Sequence, residues 1–346
     1  MKTVAILFGG KSSEYEVSLV SATGAYTNID KNKYNVVLIG ITREGRFFVY
    51  EDDPGLIACD KWTEGKKIPL ALDLAEGKLY TESDGICEYL AVDVILPMIH
   101  GKFCEDGTIQ GMFAVAGIPV VGCDCQSSAV CMDKDVTKTI VGEKVGVRMA
   151  KSAVLKKAER NSDALSECGK LLGYPMFVKP CRAGSSVGVT KVKTPESLAS
   201  AVEAAFREDT KVLVEAAVAG KEIEVAVLEE QGRYTVAHPA EIDNGGAEFY
   251  DYDTKYITNT STFYIPARIP AHAQEKVREL AEAIFRALDC SGFARVDFFY
   301  TPEGELVFNE INTLPGFTPI SMYPKMMINE GISYSDLLDR LIQTVL

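Results

Sequence analysis

Four residues near the C-terminal end of the sequence carry the sharpest chemical signal. Arg295 and Asp297 alternate within the apolar run Phe293–Tyr300, and Glu310 and Asn312 alternate at the end of the run that begins at Glu305. A strand sends every second side chain to the same face. The short turn Pro302-Glu303-Gly304 joins the two runs into a hairpin, so the four residues can converge. Asp, Glu and Asn together form an all-oxygen donor set, the chemistry of Mg²⁺ shared with phosphates. A solvated hairpin face is the alternative. It fits poorly, because Phe298, Phe299, Leu306, Val307 and Phe308 make both strands apolar, and buried carboxylates need a cation. Pro315-Gly316-Phe317 follows directly, and the Gly316 N–H could face a developing oxyanion.

A second signal is Lys179-Pro180-Cys181-Arg182-Ala183-Gly184-Ser185-Ser186-Val187-Gly188. Small residues let backbone N–H groups approach an anion, and Lys179 at the strand end can neutralise phosphate. An ordinary hairpin loop explains the stretch about as well. The opening Phe8-Gly9-Gly10-Lys11-Ser12 tempts a P-loop assignment, but the pattern needs glycine where Ala5 stands. What remains is a glycine-rich turn entering a helix, either a ligand-binding sheet edge or a packing turn. Glu14 and Glu16 sit at that helix start, where the macrodipole favours carboxylates and a substrate ammonium could be held.

These groups need a scaffold. Thr3–Phe8, Tyr34–Ile41, Arg46–Tyr50 and Val92–Met98 read as strands, with helices over Glu14–Tyr26 and Gly107–Ala116 and a short strand Ile118–Val121. Glu51–Tyr89 reads as irregular and holds the only tryptophan, Trp62. A helix over Ser127–Lys144 follows. Strands come next near Ser152–Leu155, Met176–Lys179 and Val189–Val192, then a helix Pro195–Phe206 and a strand Lys211–Glu215. Glu222–Glu229 and Tyr234–His238 read as an antiparallel pair. Ala271–Leu288 and Tyr334–Val345 read as helices. The pattern predicts an α/β and α+β chain in three units, 1–122 with an open α/β sheet, 123–215 and 216–346. The stretch 243–262 has no clean period, and a long loop in a compact domain is usually functional.

Composition removes several classes. The chain has 346 residues, 47% of them hydrophobic, which is too much apolar sequence for disorder or a coiled coil. Lys and Arg number 36 against 49 Asp and Glu, a net charge of −13, so nucleic-acid binding is disfavoured while a small anionic ligand is not. No apolar run suits a signal peptide or a membrane span, so a soluble cytoplasmic protein is expected. Nine cysteines are scattered, and an odd count argues against a disulfide framework. Cys123, Cys125 and Cys131 lack a ligand-spaced histidine and read as buried or semi-buried thiols rather than a zinc site.

A lysine loop for phosphate and a carboxylate hairpin for Mg²⁺, without a P-loop, resembles the ATP-grasp enzymes. The resemblance sharpens to the D-alanine–D-alanine ligases. It is carried by Glu14-Tyr15-Glu16-Val17-Ser18, His100-Gly101 with Glu105-Asp106-Gly107, Met132-Asp133-Lys134, Lys179 to Gly188, Lys255-Tyr256, Arg295-Val296-Asp297, and Glu310-Ile311-Asn312-Thr313 with Pro315-Gly316. These motifs stand in family order and span nearly the whole chain.

The resemblance implies a three-domain ATP-grasp fold and peptidoglycan precursor synthesis. ATP phosphorylates the carboxylate of one D-alanine, and the amine of a second attacks the acyl phosphate. It implies that Lys134, Lys179 and the Ser186 backbone meet ATP phosphates, that Glu215 and Val218 lie on the adenine side, and that Glu222 meets the ribose. Asp297, Glu310 and Asn312 would hold two Mg²⁺ ions, with Mn²⁺ as a substitute, while Arg295 and the Gly316 N–H stabilise the oxyanion. Glu14 would bind the first ammonium, linked to Ser185 and Tyr256, with His100 and Lys255 beside the substrates. Ser321 would take the second carboxylate, Met322 would wall the side-chain pocket, and 243–262 would be the lid. Ala183 stands where many relatives carry an acidic residue. A homodimer without nucleic-acid or membrane partners is implied.

Two rivals compete. Val121–Asp135 resembles the D-alanine–D-serine ligase branch as well. A non-catalytic nucleotide-binding module would keep the fold but lose a metal ligand, and Asp297, Glu310 and Asn312 are all present. No histidine lies between His238 and His272, which favours a peptide over an ester product.

Overall fold

The structure, a computed structural model, describes residues 1–83, 85–158, 160–243, 245 and 262–346. Three sheets organise it. The first has seven strands in the order β6-β5-β4-β3-β2-β1-β7, formed by β1 Lys2–Gly9, β2 Tyr34–Ile41, β3 Phe47–Tyr50, β4 Lys67–Asp73, β5 Lys78–Ser83, β6 Ile86–Leu90 and β7 Val94–Pro97. Both β2 and β7 run parallel to β1, whose apolar residues are buried on both faces, as a central parallel strand requires. Helix α1, Tyr15–Asn28, packs on this core.

The irregular reading of Glu51–Tyr89 is corrected. It contains the short helix α2 Gly55–Ala58, a 3₁₀ turn at Trp62–Glu64 and the antiparallel strands β4 to β6. Ile68, Leu70 and Leu72 alternate with exposed Pro69 and Ala71, so one face of β4 packs and the other meets water. Trp62 is fully buried against Phe8, and its indole N–H donates to Tyr15 Oη at 2.8 Å, tying this segment to α1. Only an isolated bridge, Ile95 to Val120, stands where the strand Ile118–Val121 was expected.

Helix α3, Thr108–Val115, packs Ile109 and Phe113 against Ala5, Leu7 and Ile95 of the first sheet. The single helix expected over Ser127–Lys144 is two, α4 Cys125–Met132 and α5 Lys134–Val145. Asp133 breaks them. Its extended backbone ends α4, and its side chain accepts from the Val136 N–H to start α5. The second sheet, β10-β9-β11-β8, consists of β8 Ser152–Lys156, β9 Met176–Pro180, β10 Thr190–Val192 and β11 Lys211–Ala216. It is backed by α6 Ser162–Leu172, which the sequence reading missed, and α7 Pro195–Glu208.

The third sheet is antiparallel, in the order β15-β14-β12-β16-β17 with β13 beside β12. Its strands are β12 Lys221–Glu230, β13 Arg233–Val236, β14 Ala240–Asp243, β15 Thr262–Tyr264, β16 Phe293–Tyr300 and β17 Leu306–Asn312. Helix α8, Ala271–Ala287, covers one side of it. Helices α9 Met322–Asn329, also missed, and α10 Tyr334–Gln343 join the same apolar core as β1 and α1, so the two ends of the chain share one interior. Among the described residues no helix is long and apolar enough to cross a membrane. All nine cysteines are free thiols. Cys123 and Cys131 are buried, but Cys125 is exposed, because it opens α4 on the solvent side.

Candidate functional site

The β16–β17 register sets Arg295 opposite Asn312 and Asp297 opposite Glu310, with an irregularity just after Asp297. The expected convergence of these four residues is therefore present. Arg295 donates from Nε to Asp297 Oδ1 at 2.8 Å and from Nη2 to Oδ2 at 2.7 Å. Glu224, opposite Asp297 on β12, lies 3.3 Å from Arg295 Nε. Burial opposes the guanidinium charge, but Asp297 and Glu224 outweigh it and hold Arg295 firmly cationic.

Lys134 opens α5, where its Nζ donates to the Ala183 carbonyl at 2.9 Å and sits 3.2 Å from Glu310 Oε2. Ala183 begins the small-residue loop. Ser185 and Ser186 both adopt left-handed backbone, at φ +45° and +60°, a conformation found where the surrounding structure enforces it. The Ser185 hydroxyl donates to Glu14 Oε1. A Cβ on Gly184 would lie 2.9 Å from Glu14 Oε2, so a side chain there would push the carboxylate aside. By contrast, Gly9 is fixed by packing. Its φ is +83°, and a Cβ there would stand 2.2 Å from the Ile41 carbonyl oxygen.

His100 is buried, and both ring nitrogens are engaged. Nδ1 donates to the Leu314 carbonyl at 3.0 Å, which leaves Nε2 to accept from Ser21 Oγ at 2.9 Å. Burial pulls its pKa from 6.5 down to about 4, against a smaller opposing effect of the Leu314 bond, so the ring is neutral. Ser21 Oγ also accepts from the Phe317 N–H at 3.3 Å, and Tyr334 Oη donates to the Phe317 carbonyl at 2.6 Å. The loop that holds Gly316 is thus pinned from three sides. Ser321 Oγ accepts from the Thr318 N–H at 3.0 Å, and Met322, the first residue of α9, is buried.

Two cavities result. The smaller is lined by Glu14, His100, Ser185, Arg295, Asn312, Gly316, Ser321 and Met322. The larger, about 750 Å³, is lined by Lys179, Ser186, Glu215, Val218, Glu222 and Asp297, and its size suits a cofactor-sized ligand. They meet at Lys134, Ala183, Gly184, Ser185, Glu224 and Glu310. Glu222 faces only the larger cavity and Glu224 faces both, which separates two carboxylates that a period-2 pattern leaves equivalent. Lys255 and Tyr256, and nearly all of the lid stretch 243–262, lie outside the described residues.

Sequence reasoning quoted Glu105 within a motif but gave it no role, and it did not single out Lys138. Glu105, buried and pushed upward in pKa by burial and then by the charge of Glu14, lines the smaller cavity. Lys138 lines the larger one, and its spacing of four from Lys134 on one helix was the available signal.

Among the described residues no three His, Cys, Asp or Glu side chains gather as a closed metal cage. The donor set of Asp297, Glu310 and Asn312 nevertheless fits Mg²⁺, which is usually held by one or two carboxylates plus substrate phosphates.

Comparisons with known proteins place the chain in a family. Residues 3–123 match the family model described as "D-ala D-ala ligase N-terminus", and residues 141–343 match "D-ala D-ala ligase C-terminus". The chain is 44% identical to a D-alanine–D-alanine ligase of Corynebacterium efficiens, over 99% of this chain and 96% of that protein. It is 43% identical to D-alanine–D-alanine ligase A of Escherichia coli K12, over 99% and 95%. Among solved structures, the VanG D-Ala:D-Ser ligase of Enterococcus faecalis superposes with a TM-score of 0.90 at 44% identity, covering 100% of this chain and 99% of that one. The D-alanine–D-alanine ligase of Coxiella burnetii superposes at 0.86 with 33% identity, over 99% and 93%. The chain belongs to the D-alanine–D-alanine ligase family.

Proposed function

We propose that this enzyme joins two D-alanine molecules into D-alanyl-D-alanine for peptidoglycan precursors, with ATP cleaved to ADP and phosphate through an acyl phosphate. The observation that carries the reading is the junction of the two cavities at Lys134, Gly184, Ser185 and Glu310. A carboxylate in the smaller cavity and a terminal phosphate in the larger one would meet there, as in-line transfer requires.

Glu14, oriented by Ser185, accepts the ammonium of the first D-alanine. Its carboxylate then points toward Arg295 and the Gly316 N–H, which stabilise the oxyanion when the second amine attacks. Lys134, Lys179 and the Ser186 backbone bind phosphate oxygens, with Glu215, Val218 and Glu222 on the nucleoside side. Ser321 binds the second carboxylate. His100, neutral and bonded at both nitrogens, orients the Gly316 loop and exchanges no proton. Two Mg²⁺ ions, held by Asp297, Glu310 and Asn312, would supply charge neutralisation for the phosphates. Tyr256 with Lys255 and the stretch 243–262 complete the site as its lid. A homodimer in the cytoplasm, where ATP is made available, is the setting this reading implies.

Incubation with ATP, Mg²⁺ and D-alanine should yield D-alanyl-D-alanine and one phosphate per peptide bond. Phosphate release without dipeptide would overturn the proposal.

The likeness to the Enterococcus D-Ala:D-Ser ligase favours a second reading, D-serine as the second substrate. Met322, apolar and buried beside Ser321, argues for a methyl group instead. A pocket without a partner for the hydroxyl rejects it only by about 10²-fold. With equal D-alanine and D-serine, D-alanyl-D-alanine should dominate with some mixed dipeptide, and a mainly mixed product would assign the chain to the D-serine branch.

A further inference from the structure

Lys138 belongs to none of the motifs that define the site, yet its ammonium is buried in the wall of the larger cavity. Its side chain is 9% exposed. Nζ lies 2.9 Å from Glu215 Oε1, while Lys179 Nζ lies 2.7 Å from Glu215 Oε2. One carboxylate, itself 4% exposed, is thus shared by two ammonium groups, one on each oxygen. Burial raises the pKa of Glu215, but Lys179 and then Lys138 overcome it and bring the value down to about 2. Lys134, one turn earlier on α5, turns instead to Ala183 and Glu310. The helix therefore presents two lysines that do different things.

The geometry points to Lys138 as a positioning residue that releases Lys179 to a phosphate. This rests on the reading of Lys179 as an ATP ligand. Two cations around one anion carry a net charge of +1. A phosphate that draws Lys179 away leaves a neutral Lys138–Glu215 pair behind. Without Lys138, the same movement would strand Glu215 as a bare buried carboxylate, which is strongly unfavourable. Lys179 would then stay on Glu215, and the nucleotide would be held less tightly. On this account Lys138 never touches the nucleotide and acts only through Glu215.

A double-mutant cycle on the full-length enzyme tests this. The readout is the Kd of a non-hydrolysable ATP analogue with Mg²⁺, by calorimetry, with thermal melting as a check on folding. Lys138→Met should weaken binding about tenfold in the parent enzyme but less than about twofold when Glu215 is already Gln. Lys138→Arg, which keeps the charge, should stay within about twofold of the parent. Lys138→Gln, which keeps a hydrogen bond without the charge, gives the same comparison should the Met variant not fold. Equal weakening with and without the Glu215 carboxylate would overturn the proposal, and so would unchanged binding in Lys138→Met. Failure of the parent enzyme to bind the analogue would instead overturn the ATP reading itself.

Discussion

Lowering the pH should destabilise the free protein through His100, by an amount that its surroundings set. An unfolded histidine takes up a proton as the pH falls through 6.5, whereas the buried ring resists until about 4. In that window the unfolded state binds more protons, so stability is lost on acidification. At ~1.4 kcal/mol for each pH unit, the whole window corresponds to about 3 kcal/mol, and about 2 kcal/mol is lost by about pH 5. His100→Gln lacks the titration. It also forfeits the bond to the Leu314 carbonyl or to Ser21, so it starts out less stable near neutral pH. Urea unfolding of both proteins, with chelator present, should show their stability gap narrowing by about 2 kcal/mol between about pH 7.5 and about pH 5. A gap that stays constant would mean the ring is already charged or exposed, and the argument for a neutral positioning histidine would fail.

Three further outcomes are expected. Glu310→Ala should lower kcat by about a thousandfold or more, equivalent to several kcal/mol of transition-state stabilisation, with little change in melting, since Lys134 keeps its bond to Ala183; near-normal turnover at saturating Mg²⁺ would remove Glu310 from the metal site. Gly316→Ala would bring a methyl to 2.7 Å from Ser321 Oγ and displace it from Thr318, so KM for the second D-alanine should rise about tenfold while KM for ATP holds; equal changes in both would point to general damage. Gly9→Ala should cost more than about 2 kcal/mol of stability, because the left-handed backbone and the Ile41 carbonyl both reject a side chain; a chemical-denaturation shift below about 0.5 kcal/mol would contradict the packing explanation.

Strands buried on both faces were the most legible part of the fold, because continuous apolar runs such as Thr3–Phe8 leave few alternatives. The half-buried strands β4 to β6 were not, although Ile68, Leu70 and Leu72 alternate. Their polar faces and the surrounding turns dilute a short period-2 signal. The break at Asp133 was missed because a helical pattern continues through it, and only the cap geometry shows that Asp133 ends one helix and starts the next. Convergence of Arg295, Asp297, Glu310 and Asn312 could be argued from one hairpin. The contact between Glu14 and Ser185 joins segments 171 residues apart, which no local pattern encodes, and it was expected only through family resemblance. Lys138 escaped both routes. It lies on α5 while its partner Glu215 lies on β11 of the second sheet, and no motif includes Lys138.

The loop around Gly316 has one more consequence, for synthesis of the chain. Its pins are Ser21 on α1, His100 just after β7, and Tyr334 at the start of α10. A ribosome makes Ser21 and His100 more than two hundred residues before Tyr334. A nascent chain stalled before residue 334 could complete the first two sheets and still leave the Phe317 carbonyl without its tyrosine. The apolar face that α9 and α10 cover on α1 and β1 would also be open until then. Catalytic competence should therefore not appear before Tyr334 is in place, and an enzyme lacking α10 should fail as a whole rather than lose activity by degrees.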